Sequence, residues 1–382
     1  MGKRPAAPTE PRQRLVKRGP LAWQNASSAQ AQVLAELGTS RLLIHAVTDD
    51  SFQRNYSPAV RSFLYDAKLN GYSLETPEEA DVALLHYMDD MCYVKNAGFQ
   101  AASNTFSGFT SLVPEWKQLL PRAARALVSW QRLRNSSEGG PIPEPALGVI
   151  GERMLQQKRY WSFCVLHLAY DGYLRESDWE SVFTDTITVE ERPGSPPLVA
   201  VRLGDGARGL SVKTGSDLGY VVESPFAAFL WAELLHFAAR GTTLIAIDQV
   251  QFRREWWETL WELALGELGP PHRLRHSKPS HDIARQTKTL EEVRRRGQWQ
   301  SIKSVQRYTK AYQLAQKRSL LSKEQLERGQ ECWDLPHALV LRCLEDPKGA
   351  VQLALVRAAQ KMDAWMSRPG RRPRGPVQAP QM

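Results

Sequence analysis

The chain has 382 residues, 42% of them hydrophobic and 24% charged, which is enough for two or three domains with their own cores. Its net charge of +9 favours a polyanionic partner. No uncharged apolar run approaches the length that spans a bilayer, and the amino terminus has no apolar segment typical of a secretory signal. These features disfavour a membrane protein and predict a soluble, intracellular one, without indicating the organelle.

The cysteines also favour an intracellular protein. The four cysteines are far apart and show no C-x-x-C spacing: Cys92, Cys164, Cys332 and Cys343. This pattern suits a reducing compartment and argues against a zinc ribbon or a disulfide scaffold.

Both ends of the chain are basic and rich in Pro, Gly and Ala. Residues 1–25 carry six Lys and Arg within their first twenty positions, and the last sixteen residues carry four Arg and no acid. We interpret these ends as disordered arms that contact phosphates, with a simple contribution to solubility as the alternative.

Residues 26–134 have the periodicity of an all-α bundle of four or five helices. A helix is predicted from Ser27 to Ala46, and Ser57 is predicted to cap a second helix that begins at Pro58. Thr76 and Glu79 form a capping box at the start of a third. Two further helical stretches follow, Phe99–Leu112 and Pro121–Leu133.

Residues 135–145 form a Ser/Gly/Pro linker, and residues 146–320 then predict a mostly helical domain with one small antiparallel sheet. The predicted helices are Ala146–Lys158, Tyr160–Tyr170, Pro225–Ala239 and the Trp-rich Phe252–Leu265. The predicted strands are Thr186–Val189, Leu198–Arg202 and Leu210–Val212, with a hairpin turn at Gly204–Gly206. The tryptophans of the last helix lie at helical spacing and are predicted to be core residues.

Residues 321–382 predict a helical extension that ends in the basic tail. Ser322 and Gln325 form another capping box, and Ala350–Met366 is amphipathic. Its apolar face could pack on a neighbouring subunit or within the same chain, and the sequence leaves both open.

To cleave a DNA strand without a metal, a protein needs side chains of particular chemical types. Charge gathers on the non-bridging phosphate oxygens in the transition state, and planar guanidinium groups match that charge bidentately. A nucleophile must attack in line with the leaving 5′ oxygen, and a phenol can store the bond as a phosphodiester. A lysine can supply the proton that the leaving oxygen needs.

The sequence offers one candidate for each of these tasks. Arg175 and Arg275 would clamp the phosphate, and Lys213 would be the general acid. His272 would hydrogen-bond the phosphate or take the tyrosine proton. Trp299 would donate its indole N–H to a phosphate oxygen, and Tyr308 would be the nucleophile.

The order of these residues resembles the tyrosine recombinase (phage integrase-like) family. The matching segments are YLRESD with Arg175 and Asp178, SVKTG with Lys213, HRLRH with His272 and Arg275, RGQWQS with Trp299, and QRYTKAY with Tyr308. The resemblance covers roughly residues 45 to 315. It implies a helical core-binding domain, a catalytic domain, and a homo-tetramer that exchanges strands on double-stranded DNA without metal or nucleotide cofactor.

Two departures from the family pattern bear on the site. Residues 171–174 (DGYL) replace the usual Thr-Gly before the first arginine, which predicts a shifted turn before Arg175. Many members of the family have a histidine at the position of Trp299, and some members have a tryptophan there.

Other interpretations compete with this one. Arg294, Arg295 and Arg296 could be a solvated face, but the apolar residues on the other side of that helix favour DNA-backbone contacts. His272, His276 and His281 are also compatible with a metal site, which the interleaved arginines disfavour.

The sequence is therefore compatible with three functions: an active recombinase or integrase of a mobile element, an inactive DNA-binding relic of one, and a topoisomerase-like enzyme with the same chemistry. Each would place the protein on DNA, in a nucleus or a nucleoid.

Overall fold

The structure is a computed structural model, and it describes residues 50–133, 139–204, 218–306, 308, 309 and 311–368. Several predictions lie outside these residues: both basic arms, the helix Ser27–Ala46, the strand Leu210–Val212 and Lys213. The described part is mainly helical with a small antiparallel sheet, as predicted. Contacts divide the chain into two compact units, one ending at Glu138 and one beginning at Gly139.

The amino-terminal unit is helical throughout its described residues. Its α-helices are α1 (Asp50–Asn55), α2 (Ser57–Leu69), α3 (Pro77–Asp89), α4 (Phe99–Leu112) and α5 (Pro121–Leu133). A π-helical turn, Asp90–Val94, extends α3. Phe63 and Leu84 are fully buried at the centre of its core.

Capping explains where two of these helices begin. Thr76 and Glu79 exchange the side-chain and backbone hydrogen bonds of a capping box, so the predicted start of α3 is confirmed. The predicted cap of α2 is wrong, because Ser57 is the first helical residue and Tyr56 occupies the N-cap position. Asp81 joins α3 to α5 by accepting the backbone N–H groups of Arg122 and Ala123.

The larger unit contains the remaining helices and the sheet. Its elements, in order, are α6 (Glu144–Gln156), α7 (Tyr160–Gly172), α8 (Glu176–Glu180), β1 (Ile187–Glu190), β2 (Leu198–Leu203), β3 (Leu218–Val221), α9 (Pro225–Phe237), α10 (Gln249–Glu262), α11 (Leu274–Ala284), α12 (Leu290–Arg296), α13 (Ile302–Gln306), α14 (Ala311–Arg318), α15 (Lys323–Asp334), α16 (Pro336–Cys343) and α17 (Ala350–Met366).

The sheet is antiparallel in the order β1-β2-β3. Val201 on the central strand pairs with Ile187 on one side and Tyr220 on the other. The third described strand was not predicted, since its sequence contains a glycine and spans only Leu218–Val221. Gly219 lies so close to the Val201 carbonyl that a Cβ would clash with it, which explains the glycine.

The helices after residue 320 belong to the core of this unit. A Cβ added to Gly329 on α15 would overlap the backbone of Pro145, and one added to Gly148 on α6 would overlap Gly329. Two glycines thus allow α6 and α15 to cross in backbone contact. Leu355 and Ala358 on α17 are completely buried in the same core, so this part of the apolar face packs within the same chain, the second of the two possibilities.

The Trp-rich helix α10 is only partly a core element. Trp256 is completely buried and donates its indole N–H to the Gly269 carbonyl over 2.9 Å. Trp261 is 70% exposed, so the prediction that all these tryptophans are core residues is wrong for this one. Among the described residues, no helix is both long enough and apolar enough to cross a bilayer.

Candidate active site

Arg275 lies on the first turn of α11, in the stretch that Pro270 and Pro271 open. Its side chain is 6% exposed, and its two terminal nitrogens donate to backbone carbonyls: Nη1 to Tyr173 and Nη2 to Gly297, the latter over 2.8 Å. Burial, and then the positive charge of Arg175, lower the pKa of Arg275 to about 10, so it keeps its charge at neutral pH.

Arg175 converges with Arg275 on one carboxylate. The Nη1 atoms of both guanidiniums are 3.8 Å from Oδ2 of Asp178. The same oxygen accepts the backbone N–H of Arg175 over 2.8 Å, which fixes the start of α8. The predicted pairing of the two arginines in one place is therefore present, with Asp178 between them.

Tyr173 shapes the turn that brings Arg175 to this position. It ends α7 in the left-handed conformation, with φ of 53°, which is costly for a residue with a side chain. Its hydroxyl donates to Asp282, and its carbonyl accepts from Arg275. Burial and the Asp282 carboxylate raise the pKa of Tyr173, so this phenol stays protonated and serves as an anchor. Sequence analysis placed a turn here but did not identify Tyr173 as its anchor.

Tyr308 is 3% exposed and lies in a small cluster separate from the main core, together with Tyr173, Val293 and Val305. Its ring lies 4.6 Å from the Trp299 ring and 5.1 Å from the His276 ring, measured between centroids. Negative charge on its phenol would act on the Arg275 guanidinium and raise the pKa of that group. The phenol and the buried arginine are thus within electrostatic reach of each other.

Trp299 connects the phenol to the arginine. The Arg275 guanidinium carbon lies 4.9 Å from the centre of its ring, a cation–π contact, and Tyr308 packs on the same ring. Its carbonyl accepts from Arg294 over 3.1 Å, which holds the loop after α12 in place.

The two histidines of the HRLRH segment lie on one side of the start of α11. Their ring centroids are 5.0 Å apart. His272 is exposed, and partial desolvation, followed by the Arg275 and Arg175 charges, lowers its pKa against the opposing effect of Glu176. The neutral form of His272 is therefore favoured more than that of an ordinary histidine. His276 is partly buried and contacts Tyr308, which sequence analysis did not predict.

His281 lies further along α11 and is buried. Its Nε2 is 3.0 Å from the Ile142 carbonyl. Among the described residues, no group of three or more metal-binding side chains is arranged to hold an ion.

The three consecutive arginines of α12 have different environments. Arg295 is 76% exposed and paired with Glu291, and Arg294 pairs with the same glutamate. Arg296 is only 10% exposed, pairs with Glu223, and donates to the carbonyl of Asp171. The guanidinium of Arg296 is held inside the unit by these contacts, which does not favour the predicted contact of this residue with DNA.

Lys213 lies outside the described residues, so its predicted role as general acid has no structural description. The other members of the predicted set, Arg175, His272, Arg275, Trp299 and Tyr308, lie in one neighbourhood, connected through the contacts given above.

No protein-family model matches the chain, and no curated protein matches it significantly. Among solved structures, it is similar to the crystal structure of XerA recombinase, at 12% sequence identity and a TM-score of 0.35. That alignment covers 77% of this chain and 96% of the other. A similarity at this level carries no argument about function.

Proposed function

We propose that this chain is a site-specific DNA recombinase or integrase that cleaves and rejoins strands through a 3′-phosphotyrosyl bond at Tyr308. The observation that carries the proposal is the meeting of two guanidiniums on Asp178 beside a phenol that packs on Trp299. A pair of fixed arginines next to a phenol suits phosphoryl transfer without a metal.

In the proposed reaction, the scissile phosphate binds between Arg175 and Arg275. In the free protein, the Asp178 carboxylate balances the charge of both guanidiniums. When the phosphate binds, its interaction with the two arginines replaces part of their interaction with Asp178. Because Nη1 and Nη2 of Arg275 already donate to carbonyls, this guanidinium is held in one orientation before DNA arrives.

The chemical step forms one bond and breaks another. Oη of Tyr308 attacks phosphorus as its proton leaves, the bond from phosphorus to the 5′ oxygen breaks, and Lys213 protonates that oxygen. The resulting 3′-phosphotyrosyl bond keeps the energy for rejoining. Trp299 would donate its indole N–H to a phosphate oxygen. Strand exchange would take place in a homo-tetramer on double-stranded DNA.

Contacts to the DNA backbone are assigned to Arg295 and Arg294, which lie at the surface of α12. Their pairing with Glu291 is a surface interaction that a phosphate can replace at small cost. Arg296 is not included in this assignment. A protein with these contacts would lose affinity steeply as salt rises.

A second candidate is a DNA-binding protein that no longer cleaves. The burial of Tyr308, which is only 3% exposed, favours it, because an attacking oxygen must reach phosphorus. The placement of Arg175, Arg275 and Tyr308 in one neighbourhood disfavours it. A topoisomerase-like enzyme would share the chemistry and would relax supercoils as a monomer.

A suicide DNA substrate tests the proposal. A nick placed near the cleavage position lets the short product diffuse away, so a covalent protein–DNA adduct accumulates. We expect an adduct whose peptide, mapped by mass spectrometry, carries the nucleotide on Tyr308. Because the target site is unknown, the substrates are drawn from a library of random sequences and adducts are recovered under denaturing conditions. Binding without any adduct would support the non-catalytic candidate.

A further inference from the structure

The imidazole that packs on the Tyr308 phenol belongs to His276, the residue directly after Arg275. The two ring centroids are 5.1 Å apart and the rings are tilted by 35°. His272, which the sequence favoured as acceptor of the tyrosine proton, contacts His276 at 5.0 Å. The order in space is therefore phenol, second histidine, first histidine.

Exposure to solvent rises along the same line. Tyr308 is buried, His276 is partly buried and His272 is exposed. Among the described residues, the two imidazoles form a series that begins at the buried phenol and ends at the surface.

The helix geometry explains why these rings line up. Residues four apart lie one above the other on a helix, and His272 leads into α11 through a short 3-10 turn from Pro271 to Arg273. The backbone carbonyl of His276 also accepts the Ser280 hydroxyl over 2.8 Å. The second histidine is thus fixed on the helix that carries Arg275.

We propose that His276 is the group that accepts the Tyr308 proton and passes it to His272. This inference rests on the proposed function, since it concerns the attack by the same phenol. As the bond from Oη to phosphorus forms, the proton moves to the imidazole of His276, and Lys213 supplies a different proton to the leaving 5′ oxygen. The His276 imidazolium then releases this proton to water through His272.

The surrounding charges support this direction of transfer. Desolvation lowers the pKa of His272, and the charges of Arg275, Arg175 and Arg253 lower it further against the opposing effect of Glu176. A lowered pKa favours release of a proton from this imidazole over its retention. Among the described residues of the loop after α13, Tyr308 contacts His276.

The test compares His276→Phe, His276→Ala and His272→Ala with the full-length native protein on the suicide substrate. Phe keeps a flat ring against Tyr308 and removes the nitrogens, so it separates packing from proton transfer. We expect His276→Phe to slow adduct formation about 100-fold at neutral pH, the lower range for a general base. Its rate should continue to rise with alkaline pH, because the unassisted phenol must ionise by itself.

Two further experiments distinguish proton transfer to His276 from other causes of a slow reaction. Added imidazole should restore part of the rate of His276→Ala, and it should not restore Tyr308→Phe. A DNA whose leaving oxygen is replaced by sulfur needs no general acid, so it should rescue Lys213→Ala and leave the defect of His276→Phe in place.

The inference would be overturned if His276→Phe formed adduct at the native rate. It would also be overturned if every His276 variant were slowed equally at all pH values, without imidazole rescue, because that pattern indicates packing. If the native protein itself forms no adduct, the proposed function fails instead. Thermal unfolding of each variant identifies one that has simply lost its fold.

Discussion

The larger unit contains two buried clusters of different character. The main core is apolar over most of its extent and joins α6, α9, α15 and α17. The small cluster around Tyr308 packs its few apolar residues against two tyrosines, a tryptophan and a charged arginine. The first arrangement suits stability. The second keeps ionisable groups desolvated and fixed, which costs stability and favours chemistry.

Tyr308→Phe should show the largest difference between the two clusters, because it should affect the proposed chemistry and not stability. The change removes one oxygen and keeps the ring on Trp299 and His276, so the unfolding temperature should change little. Adduct formation should disappear, because the attacking oxygen of the proposed reaction is gone. Tyr312→Phe is the matched control, since Tyr312 is 70% exposed and should keep full activity. An adduct retained by Tyr308→Phe would remove Tyr308 as the nucleophile.

Arg275→Lys should produce the next largest effect. An ammonium cannot match a phosphate bidentately while it keeps the two carbonyl contacts of Arg275. We expect the rate of adduct formation to fall roughly 100- to 1000-fold, about 3–4 kcal/mol of transition-state stabilisation. Arg253→Lys, at an exposed position, is the control and should cost far less. Equal losses in both variants would mean that only net charge matters.

In the main core, Gly329→Ala should cost stability and leave the chemistry of folded molecules intact. Alanine is favoured over glycine within a helix by about 1 kcal/mol, but here its methyl group would overlap the Pro145 backbone. We expect the free energy of unfolding to fall by about 3 kcal/mol, the upper range for overpacking. Gly266→Ala meets only the Trp261 ring at ordinary distance and should be nearly neutral. Denaturant titration measures both variants.

The smallest effect concerns pH and the buried His167. Desolvation lowers the pKa of His167 to about 3, far below its unfolded value. Below pH 6.5 the unfolded chain takes up a proton that the folded chain does not, so stability falls as pH falls. Between pH 7 and 5 the loss should be about 2 kcal/mol. His167→Phe should reduce this loss, and a variant with the native pH dependence would exclude His167 as its source.

The sequence predicted the members of the site better than their contacts. The ordered motif found Arg175, Arg275, Trp299 and Tyr308 because each is tied to a particular chemical demand. The contact of His276 with the Tyr308 phenol was not predicted. Along the sequence, His272 and His276 lie four positions apart, a spacing that is also typical of metal sites.

Distant partners explain the other differences. The three arginines of α12 look alike along the chain, and only the positions of Asp171 and Glu223, far away in sequence, draw Arg296 inward. The periodicity of α17 revealed an apolar face without saying what would cover it. Local patterns fix the start of a helix, as at Thr76, while long-range packing decides which face is buried.

The close crossing of α6 and α15 has a consequence for biosynthesis. Gly148 must meet a residue that is made 181 positions later, and the core closes only once α17, which ends at Met366, has been translated. Every residue of the proposed cleavage centre leaves the ribosome before that moment. A nascent chain therefore carries all the residues of the proposed centre before the core that supports them has closed, and we expect the proposed activity to appear only after α17 has been made.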